Sequence, residues 1–305
     1  ADFWRRIVGD GNGGGVPLPP VSMDLKAGEF TAYGKTLHDL RLGGTQQGTH
    51  WRADVASREL AGKVEWVAEG SGRLVARLAR LALPESAKDQ PVQGEALNEL
   101  PGIDLAVDQF LLRGKNLGEV RLVAENREGT WNARLAIQND DGDLAGEGRW
   151  RPSTTAPDTR LDFTLNAKSI EKLLGRLGYE EAVRRGVANL SGQVSWAGAP
   201  FAIDYPSLSG QIKLEARNGQ FNKLEPGVGR LLGVLSLQSL PRRITLDFRD
   251  IFSQGFAFDG IDATMKVNRG IMDTQDLRIQ GPAAKVLMTG TVNLTAETQN
   301  LRVLV

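Results

Sequence analysis

The chain has no cysteine. Disulfide frameworks, thiolate zinc sites and thiol catalysis are therefore excluded, and the composition suits an oxidising compartment where stray thiols are a liability. Histidine is nearly as scarce, with only His38 and His50. A catalytic triad or a two-histidine metal site would have to use them. Neither stands in a recognisable motif, so both are read as structural or surface residues. An excess of charge is missing too, because 37 Lys and Arg balance 37 Asp and Glu. No global field calls for nucleic acid, and basic side chains do not interleave with aromatics as a nucleic-acid platform requires. No apolar run reaches the roughly 18 residues that read as a membrane-spanning helix. The stretch Gly11 to Gly15 lacks the Lys-Ser/Thr of a phosphate loop and runs into prolines. No Gly-x-Ser-x-Gly elbow occurs. Asp140, Asp141 and Asp143 lack the ligand spacing of a calcium loop. The expectation is a non-enzyme with no cofactor, no metal site and no nucleic-acid partner.

What is present is a repeat. Residues 24–53 align without a gap onto 104–133, an offset of 80, with ten identities that include Asp24/Asp104, Phe30/Phe110, Leu42/Leu122 and Trp51/Trp131. A shorter signature recurs as Leu60 to Trp66, Leu144 to Trp150 and Leu190 to Trp196, and its first half returns at Leu208 to Ile212 and Met288 to Val292. Its first, third, fifth and seventh positions are apolar or glycine, the period-two pattern of a half-buried strand. The central glycine marks a bend or a close backbone approach. Asn218-Gly219, Asn268-Arg269-Gly270 and Asp140-Asp141-Gly142 read as hairpin turns. The pattern predicts a mainly β chain: an elongated, curved antiparallel sheet with two short helical segments.

The first helical segment starts after Ser169, where Ile170, Leu173, Leu174 and Leu177 share a face and Gly178 stops the run. A short second helix is read from Tyr179 to Arg185, closed by Gly186, so that this helical region spans 169–185. The other helical region spans 225–237, with Pro226 in its first turn and Pro241 beyond it. Loops are expected at 9–20, 84–101 and 151–159. The organisation read is 1–160 as two strand repeats offset by 80 residues, then 161–305 as a continuation carrying the helical segments. The chain has no initiator Met, and residues 300–305 are strand-like to the last, so it reads as a section of a longer protein.

The segment from Pro226 to Asp259, with Leu240-Pro241-Arg242-Arg243 at its centre, is distinctive, as is Thr274 to Ala284. Both closely resemble the carboxy-terminal region of YhdP proteins, AsmA-like envelope proteins of Gram-negative bacteria. Leu190 to Pro200 and Leu100 to Leu105 resemble that family too. The resemblance implies a repeating β-groove, a taco-like trough with an apolar interior. It further implies a periplasmic location within a protein anchored in the inner membrane by an amino-terminal helix, and movement of phospholipid toward the outer membrane.

Physical reasoning adds to this. A sheet with one apolar face normally needs a second layer, and two short helices are too few to cover so many strands. The uncovered face is then closed on itself or reserved for a ligand. The candidate lining residues are Trp66, Trp131, Leu135, Trp196, Ile212, Leu214, Leu246, Phe248, Phe256, Phe258, Met265, Val267 and Met288. Arg242, Arg243, Asp247 and Asp250 are candidates for head-group contact or for structural ion pairs. The expected function is a section of a lipid conduit, with phospholipid as ligand and both membranes as partners through other parts of the protein. The alternative is an envelope assembly protein that binds protein partners by strand addition at an exposed edge, such as 300–305. A carbohydrate-binding or hydrolysing β-protein is a third reading, and it requires a polar, carboxylate-lined cleft.

Overall fold

The structure, a computed structural model, describes residues 21–32, 35–70, 72–83, 101–152, 158–200, 202–222 and 255–305. Sixteen strands form one sheet in which each strand neighbours the next in sequence. They are β1 (Val21–Ala32), β2 (Lys35–Gln47), β3 (His50–Ala56), β4 (Leu60–Val67), β5 (Arg73–Leu83), β6 (Gly102–Leu112), β7 (Lys115–Arg127) and β8 (Thr130–Asn139). There follow β9 (Gly142–Arg151), β10 (Asp158–Ala167), β11 (Val183–Ala197), β12 (Ser209–Phe221), β13 (Phe256–Asn268), β14 (Ile271–Gln280), β15 (Lys285–Asn293) and β16 (Thr298–Leu304). A single helix among the described residues, α1 (Ile170–Arg176), stands between β10 and β11. The sheet is long, curved and unclosed, with β1 and β16 as its edges. Right-handed strand twist makes a flat sheet of this many strands unfavourable, so it curls.

The fold is the mainly β, curved sheet that the alternation predicts, with three local differences. First, β5 and β6 pair in parallel. A parallel neighbour needs a long crossover rather than a hairpin turn, and residues 84–101 supply the length. Second, Asn218-Gly219 is no hairpin. Arg217 and Gly219 both stay paired, to Gly260 and Phe258, with the register unbroken, while Asn218 takes a left-handed φ of 57° inside β12. Gly219 lies under the Phe258 ring, where a Cβ would collide with it. Third, Tyr179–Arg185 does not continue as a helix. Gly178 (φ 92°) and Glu181 (φ 63°) turn the chain, and Val183 enters β11 opposite Phe221. So short a helix gains little from its own hydrogen bonds, whereas strand pairing buries Val183 among Ile170, Phe256 and Phe258.

Strand limits reproduce the internal repeat: β2 runs 35–47 and β7 runs 115–127, while β3 begins at 50 and β8 at 130. The Asp140-Asp141 and Arg269-Gly270 turns join β8 to β9 and β13 to β14.

Candidate functional site

Directly opposed residues in a ladder share a face of the sheet. One such row runs Leu135, Gly146, Phe163, Gly192, Ile212, Met265 across β8 to β13. A parallel row runs Ile137, Leu144, Leu165, Leu190, Leu214, Ala263. A third begins Ala133, Gly148, Leu161, Val194. These inner-face rows hold no charged side chain. The outer face, one residue out of phase, reads Arg134, Glu147, Asp162, Gln193, Gln211, Lys266.

The outer face is stitched by ion pairs such as Arg77 to Asp104 at 2.8 Å and Arg217 to Asp262 at 2.6 Å. The hydrogen bond from Arg77 holds the Asp104 carboxyl below its ordinary range. The same geometry from Asp262 pushes the Arg217 guanidinium up. On the inner face the hydroxyls of Thr159 and Thr274 are satisfied internally. Thr159 Oγ1 donates to the Gly198 carbonyl at 2.7 Å, and Thr274 Oγ1 to the Thr264 carbonyl at 3.0 Å.

Two features lean over the inner face from opposite sides of the sheet. On one side lies α1, whose Leu173 and Leu174 pack with Ala167, Val183, Phe256 and Phe258. Its Arg176 reaches Asp141 Oδ2 from Nε at 3.0 Å and the Asn116 carbonyl from Nη1 at 3.1 Å. On the other side the 198–208 connection sets Ala199 against Trp131 and Trp150, and Ile203 and Leu208 against Trp196 and Ile212. Between them the mid-strand residues Leu135, Leu144, Leu161, Phe163, Leu165, Leu190 and Leu214 are only half-buried. Strand β9 contributes Gly146 and Gly148 there, so the strip is locally stripped of side chains. A Cβ on Gly148 would meet nothing nearer than 3.7 Å.

Of the residues expected to line the face, Trp66, Trp131, Leu135, Trp196, Ile212, Leu214, Met265, Val267 and Met288 sit on it by register, and Phe256 and Phe258 join it through one buried cluster with Ala216 and Ile261. They divide by burial. Trp66, Leu135, Leu214 and Met265 are half-buried, whereas Phe256, Phe258 and Met288 are buried in the cluster that α1 joins. Leu246, Phe248, Arg242, Arg243, Asp247, Asp250 and the 225–237 helical region lie outside the described residues. Sequence reasoning passed over Trp51, Trp150 and the inner-face glycines. The signal was there, since Trp150 closes one copy of the repeated signature and glycine is its third position.

The inner-face rows offer no nucleophile beside a base, and among the described residues no three His, Asp or Glu cluster as a metal site would require. Among them, too, no helix is long and apolar enough to cross a membrane. What this arrangement presents chemically is an apolar strip without reactive groups.

A family model described as YhdP protein matches residues 2–305. The "Intermembrane phospholipid transporter YhdP" of Escherichia coli (strain K12) is 31% identical over 163 residues, which is 53% of this chain and 13% of that protein. The chain therefore spans a small part of that relative's length. No solved structure matches. With a family model matched along nearly its whole length, the chain belongs to the YhdP family.

Proposed function

We propose that this chain is a section of a periplasm-spanning lipid conduit, which shields phospholipid acyl chains in an apolar β-groove between the inner and outer membranes. It works without chemistry and without a cofactor, as part of a protein anchored in the inner membrane. Residues 1–160 and 161–305 are successive lengths of the one groove. The observation that carries the reading is the strip of half-buried apolar side chains between α1 and the 198–208 connection. Each CH₂ withdrawn from water contributes about 0.8 kcal/mol. Rows that repeat along the sheet hold a tail at similar energy from strand to strand, so sliding meets no large barrier. The name of the Escherichia coli relative, a phospholipid transporter, agrees with this reading.

Native mass spectrometry of the purified chain tests it. The expected result is co-purified phospholipid, lost in Gly148→Leu with the circular dichroism spectrum unchanged. That substitution fills the strip beside Ala133 and Leu161 without backbone collision. A chain that carries no phospholipid, or a variant that keeps it all, counts against the conduit. The edges at β1 and β16, which have no further strand beside them among the described residues, favour a second reading, strand addition to an envelope protein partner. Recovery of a protein partner in the absence of lipid would support it.

A further inference from the structure

The two sides of the inner face differ in their aromatic residues. Trp51 is the second residue of β3 and Trp131 the second of β8, while Trp66, Trp150 and Trp196 are the last but one of β4, β9 and β11. Strands reverse direction at every step except the parallel β5–β6 pair, and with that one exception all five fall on the same side of the sheet, the side opposite α1. Register pairs Trp51 with Trp66 and Trp131 with Trp150, whose ring centroids are 6.4 Å apart. Polar side chains share these rows: Gln46 opposes Trp51, Asn126 opposes Trp131, and Thr159 opposes both Trp150 and Trp196. Trp131 is 5% exposed, and its Nε1 is a buried donor with no acceptor.

The α1 side is different. Its row runs Ala167, Ala188, Ala216, Ile261, Ile279, Val286, with Phe221, Phe256 and Phe258 beyond it. No polar side chain interrupts that row, and the Leu173 and Leu174 side chains of α1 pack against it. That row is hydrocarbon-like, with Arg176 of α1 and Asp141 paired to each other outside it, whereas the tryptophan rows are amphipathic. Indole rings with amide and hydroxyl neighbours favour the boundary between hydrocarbon and water, where the ring is solvated on one flank and the N–H finds an acceptor.

We propose that the tryptophan side is the head-group side of the groove. A glycerophospholipid seats with its glycerol and ester oxygens along the row Gln46, Trp51, Trp66 and the row Asn126, Trp131, Trp150. Its acyl chains run along the strands, across the half-buried strip, toward the α1 side of the sheet. An ester carbonyl or phosphate oxygen is the acceptor that Trp131 Nε1 lacks. This inference rests on the lipid-conduit reading and adds a fixed orientation to it.

Tryptophan emission tests the orientation on the full chain carrying Trp4→Phe, which removes the one tryptophan outside the described residues. The protein is loaded with phosphatidylcholine brominated either near the ester end or near the methyl end of its acyl chains. The expected result is the larger loss of emission with the ester-end bromines. Equal or greater loss with the methyl-end bromines overturns the orientation while leaving lipid binding in place. No loss with either lipid, when native mass spectrometry still finds it bound, also overturns the orientation. No loss together with no bound lipid removes the conduit reading itself. As a second measurement, benzoylphenylalanine placed at Trp66 is expected to capture the glycerol portion of bound lipid, and at Phe110 the acyl portion. The reverse pattern overturns the proposal.

Discussion

At the scale of single residues, the glycines of the repeated signature serve two physical ends. Gly62 and Gly210 both hold φ at 148°, and a Cβ there would come within 2.6 Å of Leu78 Cα and 2.8 Å of Val194 Cα. They permit close backbone approach on the inner face. Gly148, two residues beyond the signature glycine of its strand, has ordinary φ and open space. Gly62→Ala or Gly210→Ala is therefore expected to cost about 1–3 kcal/mol through strain and collision. Gly148→Ala is expected to stay within about 0.5 kcal/mol of the parent. Urea unfolding of the three variants checks this, and equal losses would show that backbone approach is not what separates them. Phe258, 2% exposed over Gly219, is a packing residue whatever else it touches. Phe258→Ala is expected to cost about 3–5 kcal/mol.

At the scale of elements, α1 shows how a helix too short to stand alone is held. Ser169 Oγ accepts from the Lys172 N–H at 3.3 Å, Glu171 lies in the first turn and Arg176 in the last. These contributions are small for seven residues. The Leu173 and Leu174 contacts and the Arg176 fork onto Asp141, a carboxylate only 7% exposed, supply the rest. Arg176→Ala leaves the Asp141 carboxylate without the fork. Amide hydrogen exchange over 170–177 is expected to accelerate on the order of tenfold, with the β9–β10 ladder unchanged. Arg176→Lys is expected to recover little of the protection, because a single ammonium cannot reproduce contacts to both Asp141 and the Asn116 carbonyl. Unchanged exchange in both variants would mean that apolar packing alone holds the helix.

At the scale of the whole molecule, several carboxylates tie neighbouring strands together and make the sheet acid-sensitive. Burial of Glu59 opposes its charge. Hydrogen bonds from the His38 backbone N–H at 2.8 Å, from the His38 ring and from Ser57 outweigh that cost and hold its pKa low. Asp276, accepting from the Thr264 N–H at 2.8 Å, and Asp104, beside Arg77, are lowered as well. A carboxylate with a depressed folded pKa stabilises the native state above its unfolded pKa of about 4, and that contribution is lost as pH falls through the folded value. Thermal melts are thus expected to be level from neutrality to about pH 5 and to fall below about pH 4. Glu59→Gln and Asp104→Asn should flatten that fall. A Tm that climbs on acidification would refute the assignment.

Much of this molecule was determined by the order of its residues alone. Period-two alternation in stretches such as Trp131 to Ile137 implies a sheet with one apolar face, because a strand turns successive side chains to opposite sides. The 80-residue offset and the Leu-x-Gly signature mark the repeating strands, and Ser169 and Gly178 bracket α1. Other features depended on contacts between distant segments. The parallel β5–β6 pair, the passage of β12 through Asn218 and the entry of Val183 into β11 are decided by which strand lies alongside, a choice local propensity does not make. Neither the half-buried state of Phe163 and Leu190 nor the deep burial of Phe258 can be read from residue type. Burial depends on what leans over the face, and only the folded sheet, with α1 on one side and the tryptophans on the other, settles that.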